Sequence, residues 1–363
     1  GGKNPSYGWR KQMMDWFKKN YPGIDIVEID ASICDCARGS SFSVFRFAHD
    51  VLEKKPDLIL IDFAEDDYEM NRDYDTIWRS VEGIVRQAYK ANPENDIIFL
   101  YAFYPGMEEN YKENLSPEVV TIYEKIADYY GIPSINMGYR VAKLADKGKI
   151  VINDSNNTEN QITLFNKHSR IPSPDGNNLY MQVIKEALEK LSEKKTPEYN
   201  KLLEGIRKDN LEKAKLMLIS SNLISVTGNW ERMKPESISH SKYFEEIFYT
   251  NTPGSTMTFT FKGTEVSLYG IMAPNSGIIK VTIDGKDYGV RNYVNKWSYH
   301  YPIKAIELAR DLENIEHIVK IELLEIPPDR SDAIEEVKKL NRYNPKDFEG
   351  VSLRFGWLRV VEE

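Results

Sequence analysis

IDASICDCARGSSFSVFRFAHDVLEKKPDLILIDFAEDD, residues 29–67, reads as a loop, a helix and a buried strand in succession. Ser40-Ser41-Phe42 opens the helical pattern, which runs over 41–54. DLILIDF (57–63) is a short, continuous, mostly apolar run, as expected of a strand covered on both faces. Asp62, Glu65, Asp66 and Asp67 then make the strand's C-terminal end strongly acidic.

The same alternation extends on both sides. IDIVEID (24–30), DIIFLYAF (96–103) and PSINM (133–137) are also expected as buried strands, with helices near 8–20, 74–91 and 117–130. Trp9, Met13, Trp16 and Phe17 share one helical face, and Ile77, Val81, Ile84 and Val85 share another. Strand and helix in turn predict an α/β domain over 1–195, a parallel sheet with helices on both sides. A charged, partly helical linker is expected over 196–222. From 223 to 363 the signal is short strands with turn residues, in MTFTFKGTEVSLYGI, GIIKVTIDGKDYGV, HIVKIELLEI and VSLRFGWLRVV. Lys262-Gly263 and Asp284-Gly285 are expected as hairpin turns, and the whole as an all-β sandwich or jelly roll.

At 363 residues the chain is long enough for two such domains, each with its own core. The net charge of −8, with Lys and Arg scattered, argues against a nucleic-acid partner bound through phosphates. No apolar run reaches the length of a membrane span. Cys34 and Cys36 are too close for an unstrained disulfide and too few for a zinc site, so no metal or other cofactor is expected. The chain opens at Gly1 without Met or a visible signal peptide, so its N-terminus is read as processed, engineered or incomplete.

Residues 29–67, with the segment around Pro172-Ser-Pro-Asp-Gly176, resemble the SGNH (GDSL-like) hydrolase family. The resemblance covers most of 1–195. It implies a flavodoxin-like three-layer α/β/α sheet and hydrolysis of esters, often acetyl groups on sugars. The framework is kept at Phe45-Arg46, Asp50-Val51-Leu52 and Lys55-Pro56-Asp57, while the chemistry is exchanged. Asp35 or Cys36 falls where a glycine amide helps form the oxyanion hole, and Gly39 is the nearest surviving glycine. Asp66 stands where the family carries an Asn that donates to the oxyanion. An ionised carboxylate only accepts, and its charge repels an oxyanion. Ile171 occupies the catalytic His position and His168 that of its Asp partner. Ser6-Tyr7-Gly8-Trp9 resembles the pair that follows the nucleophile block, which places the serine upstream of Gly1. The family's first strand is central to its sheet, so an expectation follows that a preceding segment, another segment or another chain fills that slot.

The second half resembles the jelly-roll modules that accompany bacterial SGNH esterases, on Phe259-x-Phe-Lys-Gly-Thr-x-Val-x-Leu-Tyr-Gly270 and Ala273-Pro-Asn-Ser-Gly277. Trp297 and Tyr299, with His300 and Tyr301, are the candidates there for stacking on sugar rings, against the commoner role of strand aromatics as core. The resemblance therefore implies a carbohydrate or acylated small-molecule ligand and a secreted or cell-surface bacterial setting. The residues leave compartment and oligomeric state open. Two functions stand side by side: a carbohydrate esterase with impaired catalysis, or an inactive relative kept as a carbohydrate- or protein-binding scaffold.

Overall fold

The computed structural model describes residues 7–32, 38–153, 161–166, 171–193, 202–219, 224–233 and 243–362. The chain divides into two compact units, one of Gly1–Cys34 with Arg38–Glu212, the other principally of Lys213–Glu363.

The first unit runs α1 (Trp9–Asn20), α2 (Ser40–Asp50), β1 (Leu58–Ile61), α3 (Ala64–Glu69), α4 (Tyr74–Ala91), β2 (Asp96–Tyr101), α5 (Glu108–Lys112), α6 (Glu118–Tyr130), β3 (Ser134–Asn136), α7 (Met137–Asp146), β4 (Ile150–Val151), β5 (Ile162–Thr163) and α8 (Pro174–Ser192). β1, β2 and β3 pair in that order, all parallel, and β4 and β5 form a separate parallel pair. Parallel strands buried on both faces need continuous apolar sequence, and Ile97–Tyr101 is buried throughout. α4 starts where the Asp73 carboxylate accepts the Thr76 N–H (2.8 Å). Its stripe of Ile77, Val81, Ile84 and Val85 is at most 1% exposed.

In the first 222 residues two expectations need correction. IDIVEID is not a strand: 24–30 carry no ladder pairing, and Ile24 and Val27 are 63% and 73% exposed. β-Branched sequence favours an extended backbone, yet a strand exists only where a neighbour completes its hydrogen bonds. Arg10 instead holds the run from α1, bonding Glu28 (2.6 Å) and pairing with Asp30 (3.0 Å). The stretch read as a partly helical linker also behaves differently. Described residues 202–219 contain no helix; up to Glu212 they belong to the first unit, and Ala214–Leu218 is a strand of the second. Buried Glu82 of α4 accepts the Ile206 and Arg207 N–H groups, and Arg86 bonds Glu212 (2.5 Å) and the Leu203 carbonyl (2.6 Å). Tertiary bonds to α4 satisfy this backbone in place of helix.

The second unit adds β6 (Ala214–Leu218), β7 (Ile224–Thr227), β8 (Glu231–Met233), β9 (Ile247–Thr250), β10 (Thr256–Gly263), β11 (Glu265–Ile271), β12 (Ile278–Ile283), β13 (Lys286–Asn292), β14 (Ile303–Ala309), β15 (Ile315–Leu323), α9 (Ser331–Lys339) and β16 (Leu353–Val361). One antiparallel sheet has the order β13-β12-β15-β10-β7. The other has the order β14-β11-β16-β9-β8, with β6 also on β16. Alternate residues of both, such as Met257, Phe259, Val281 and Ile321 of the first and Leu268, Leu308, Leu353 and Phe355 of the second, meet in one apolar core. Asp284 and Gly285 both have positive φ (51° and 78°), which suits the two-residue hairpin between β12 and β13. Lys262-Gly263 is not a hairpin: β10 and β11 enter different sheets, so the turn crosses the sandwich. Gly263 is needed there because a Cβ would stand 2.1 Å from the Val361 carbonyl oxygen.

Candidate active site

The end of β1 and the first turn of α3 bring four carboxyl groups together. Glu65, Asp66 and Asp67 all fall in that first turn, where exposed N–H groups favour negative charge. Asp67 is 1% exposed and fully engaged. Its Oδ1 accepts the Ser40 N–H (3.0 Å) and its Oδ2 accepts the Tyr123 hydroxyl (2.7 Å). Gly39 has no side chain to cap α2, and Asp67 does it across space. The two fit only as this pair: Gly39 has φ +86°, and a Cβ on it would lie 2.5 Å from Asp67 Oδ1. Burial nonetheless outweighs these bonds and leaves the Asp67 pKa raised.

Asp66 faces Arg38, whose Nε lies 3.3 Å from Oδ1, while Nη2 of the same arginine reaches Glu69 (2.7 Å). Burial and then the charge of Asp67 push Asp66 up to about 6, with Arg38 and Arg72 pulling the other way. Asp62 and Glu65 form a tighter problem. Asp62 Oδ1 and Glu65 Oε2 are buried with no donor among the described residues, although the Ala102 N–H reaches Asp62. Burial raises Asp62 to about 7 and Glu65 well above the carboxylate range, and the two are hydrogen-bonded to each other. Two carboxyl groups bonded to one another share a proton, so the pair carries at most one charge near neutrality. Tyr180 brings α8 to this place: its hydroxyl accepts the Phe103 N–H (3.2 Å), and burial with the charges of Glu65 and Asp62 pushes the phenol up.

The arrangement is therefore a buried, proton-holding acidic cluster neutralised by arginines. Ionised Asp66 can only accept; protonated, it becomes a donor at the same place. Among the described residues no group of His, Cys, Asp and Glu is arranged to hold a metal ion. No helix is long and apolar enough to cross a membrane among those residues.

Of the expected site residues, Gly39 and Asp66 come together, both beside Asp67. The Asp67 carboxylate is spent inside the protein. Ile171 is 53% exposed on the turn before α8, its carbonyl accepting the Asn166 N–H (3.1 Å). Asp35 and His168 lie outside the described residues, as do Cys34 and Cys36. In the second unit Trp297 is 40% exposed, whereas Tyr299 packs against Ala333, Val337 and Phe348. Sequence reasoning missed Arg38, Tyr123 and Tyr180. Arg38 directly precedes Gly39 and was open to notice; the tyrosines are 56 and 77 residues from their partners and carry no local signal.

No family model matches the chain, and no curated protein matches it in sequence. Solved structures do. The chain is similar to a two-domain esterase (CEX) active on acetylated mannans, co-crystallized with mannopentaose, at 18% identity and a TM-score of 0.72 over 100% of this chain and 87% of that one. A second structure of such an esterase gives 0.70 at the same identity and coverage. A family two carbohydrate esterase from Cellvibrio japonicus is similar over only 41% of this chain and 34% of its own, at 13% identity and a TM-score of 0.27. Along its whole length, then, this chain has the fold of a two-domain carbohydrate esterase.

Proposed function

We propose that the first unit is an SGNH-type hydrolase framework for O-acetylated carbohydrates whose catalysis is impaired, joined to a jelly-roll module. The observation that carries this reading is Asp66. It stands beside Gly39 at the N-terminus of α2, where the resemblance puts an oxyanion donor, and it is ion-paired with Arg38. A carboxylate in that place works against a developing negative charge. The likeness in fold to esterases of acetylated mannans supports the substrate class.

The sheet is proposed to be flavodoxin-like, with a further parallel strand on the free edge of β1 bearing the nucleophilic serine. Among the described residues β1 pairs with β2 alone. The Asp57 carbonyl accepts the Asp96 N–H (3.0 Å), so alternate backbone groups, those of Leu58 and Leu60, face the other edge.

A second reading, an inactive relative retained as a binding scaffold, is favoured by Ile171: isoleucine takes no proton from a serine. The test is turnover of an aryl acetate and of an acetylated mannan by the native polypeptide. Turnover abolished by His168→Ala supports an enzyme with a displaced base. No turnover of either substrate supports the scaffold.

A further inference from the structure

Arg354 of β16 is 8% exposed, and among the described residues no carboxylate pairs with it. Leu353 and Phe355 on either side point into the core, so Arg354 lies on the opposite face of its sheet. Its cross-strand neighbour there is Tyr249 of β9, and the guanidinium sits over that ring, 4.7 Å from its centre. Nη1 donates to the Ser352 hydroxyl oxygen (2.6 Å) and to Asn275 Oδ1 (3.2 Å). The Ser352 hydroxyl donates in turn to the same Asn275 Oδ1 (2.8 Å). One face of the guanidinium is thus covered and one arm anchored.

Nε and Nη2 remain. Their N–H bonds run parallel along one edge of the fork, and neither meets an acceptor among the described residues. Neither is shut away as Nε of Arg330 is, so the exposure that Arg354 keeps includes this edge. A charge so nearly buried is costly unless an opposite charge stands beside it. Burial pulls the Arg354 pKa down, and the ionisable groups that act on it are the phenols of Tyr249, Tyr301 and Tyr293. Near neutrality a guanidinium is charged and a phenol is not, so no described residue compensates the positive charge. Anchoring through Nη1 needs neither that charge nor the second edge, since an amide would donate as well. What the unmet edge matches is a planar oxyanion held by two parallel hydrogen bonds. No lysine or second arginine among the described residues acts on the place, so a single negative charge balances it.

We propose that the Nε–Nη2 edge of Arg354 binds the carboxylate of a small monoanionic ligand. The site lies within the second unit and does not depend on the esterase reading. The test follows the arginine Nε–H resonances of the whole chain during titration with sodium acetate, with sodium benzoate and with benzamide as the neutral counterpart, sodium chloride holding the ionic strength constant. A saturable shift of the Arg354 signal by either carboxylate, and none by benzamide, is expected. Arg354→Lys identifies the signal by removing it; it keeps the charge without the fork and should weaken calorimetrically measured binding about tenfold or more. Should that variant fail to fold, phenylglyoxal labelling of the parent chain with peptide mass mapping reads the same group, and the carboxylate that binds should protect Arg354. No saturable shift with either carboxylate overturns the proposal. So does a shift that benzamide or inorganic phosphate matches, binding unchanged in Arg354→Lys, or labelling of Arg354 that carboxylate does not slow.

Discussion

Replacing Asp66 by asparagine isolates the electrostatic cost of the candidate site. Folding raises this carboxyl from 3.8 to about 6, burial being the largest cause. Well below 3.8, at pH about 3, the group is protonated whether the chain is folded or not, and the shift has almost no effect on stability. Above about 6 it is ionised in both states, and the folded state bears the full cost of the buried charge. Two pKa units correspond to about 3 kcal/mol, with the attraction of Arg38 and Arg72 already included. The Asp66 side chain retains 20% exposure, which trims the expected gain to about 2 kcal/mol. Asp66→Asn, nearly the shape of the protonated acid, is therefore expected to stabilise the first unit by that amount at about pH 8 and by almost nothing at about pH 3. Hydrogen exchange of α3 and α4 amides reads this unit alone, which a single melting curve of a two-unit chain does not. Equal protection changes at both pH values, or a loss at the higher one, would refute the reasoning.

Three further outcomes follow from other places in the chain. Glu82→Ala strips acceptors from the Ile206 and Arg207 N–H groups and the Tyr130 hydroxyl, and should cost about 3–5 kcal/mol, with early proteolysis within 202–212 on mild denaturation. His317 bonds two acceptors, Asp284 Oδ2 and the Glu313 carbonyl, both at 2.7 Å; burial opposes its charge, yet these bonds raise its pKa above 6.5. Its contribution is thus fully present below 6.5 and lost as pH rises through the folded value, so His317→Gln should flatten the pH dependence of second-unit unfolding across that window. Gly39→Ala forces a Cβ against Asp67 Oδ1 at φ +86° and should lower first-unit stability in urea by about 2 kcal/mol or more.

Elements with strong local patterning were legible in the sequence. Ile77, Val81, Ile84 and Val85 recur at helical spacing, and α4 occupies Tyr74–Ala91 as expected. Asp284-Gly285 announces its turn through the backbone geometry both residues accept. What failed depended on partners. IDIVEID has the composition of a strand and none of the hydrogen bonds, because composition does not say what lies alongside. Lys262-Gly263 looks like a hairpin because successive strands usually pair, whereas here the chain changes sheets. α9 went unread: SDAIEEVKK is short, and its Ala333 and Val337 form only a small satellite core with Phe348. At the site, the acidic run was visible, but its burial, its shared proton and its contacts with Arg38, Tyr123 and Tyr180 arise from folding.

The end of β1 and the acidic cluster bear on one another. β1 runs directly into Asp62, whose Oδ1 lacks a donor among the described residues, as does Glu65 Oε2. Arg10, which holds the unpaired run 24–30, is near enough for its charge to lower the Asp62 pKa, so the run, the end of β1 and the cluster lie in one neighbourhood. Carboxyl titration followed by infrared spectroscopy should report a group near 7, raised by burial and by the charge of Asp66, and Asp66→Asn should lower it. A group unmoved by that substitution would leave burial alone as the cause.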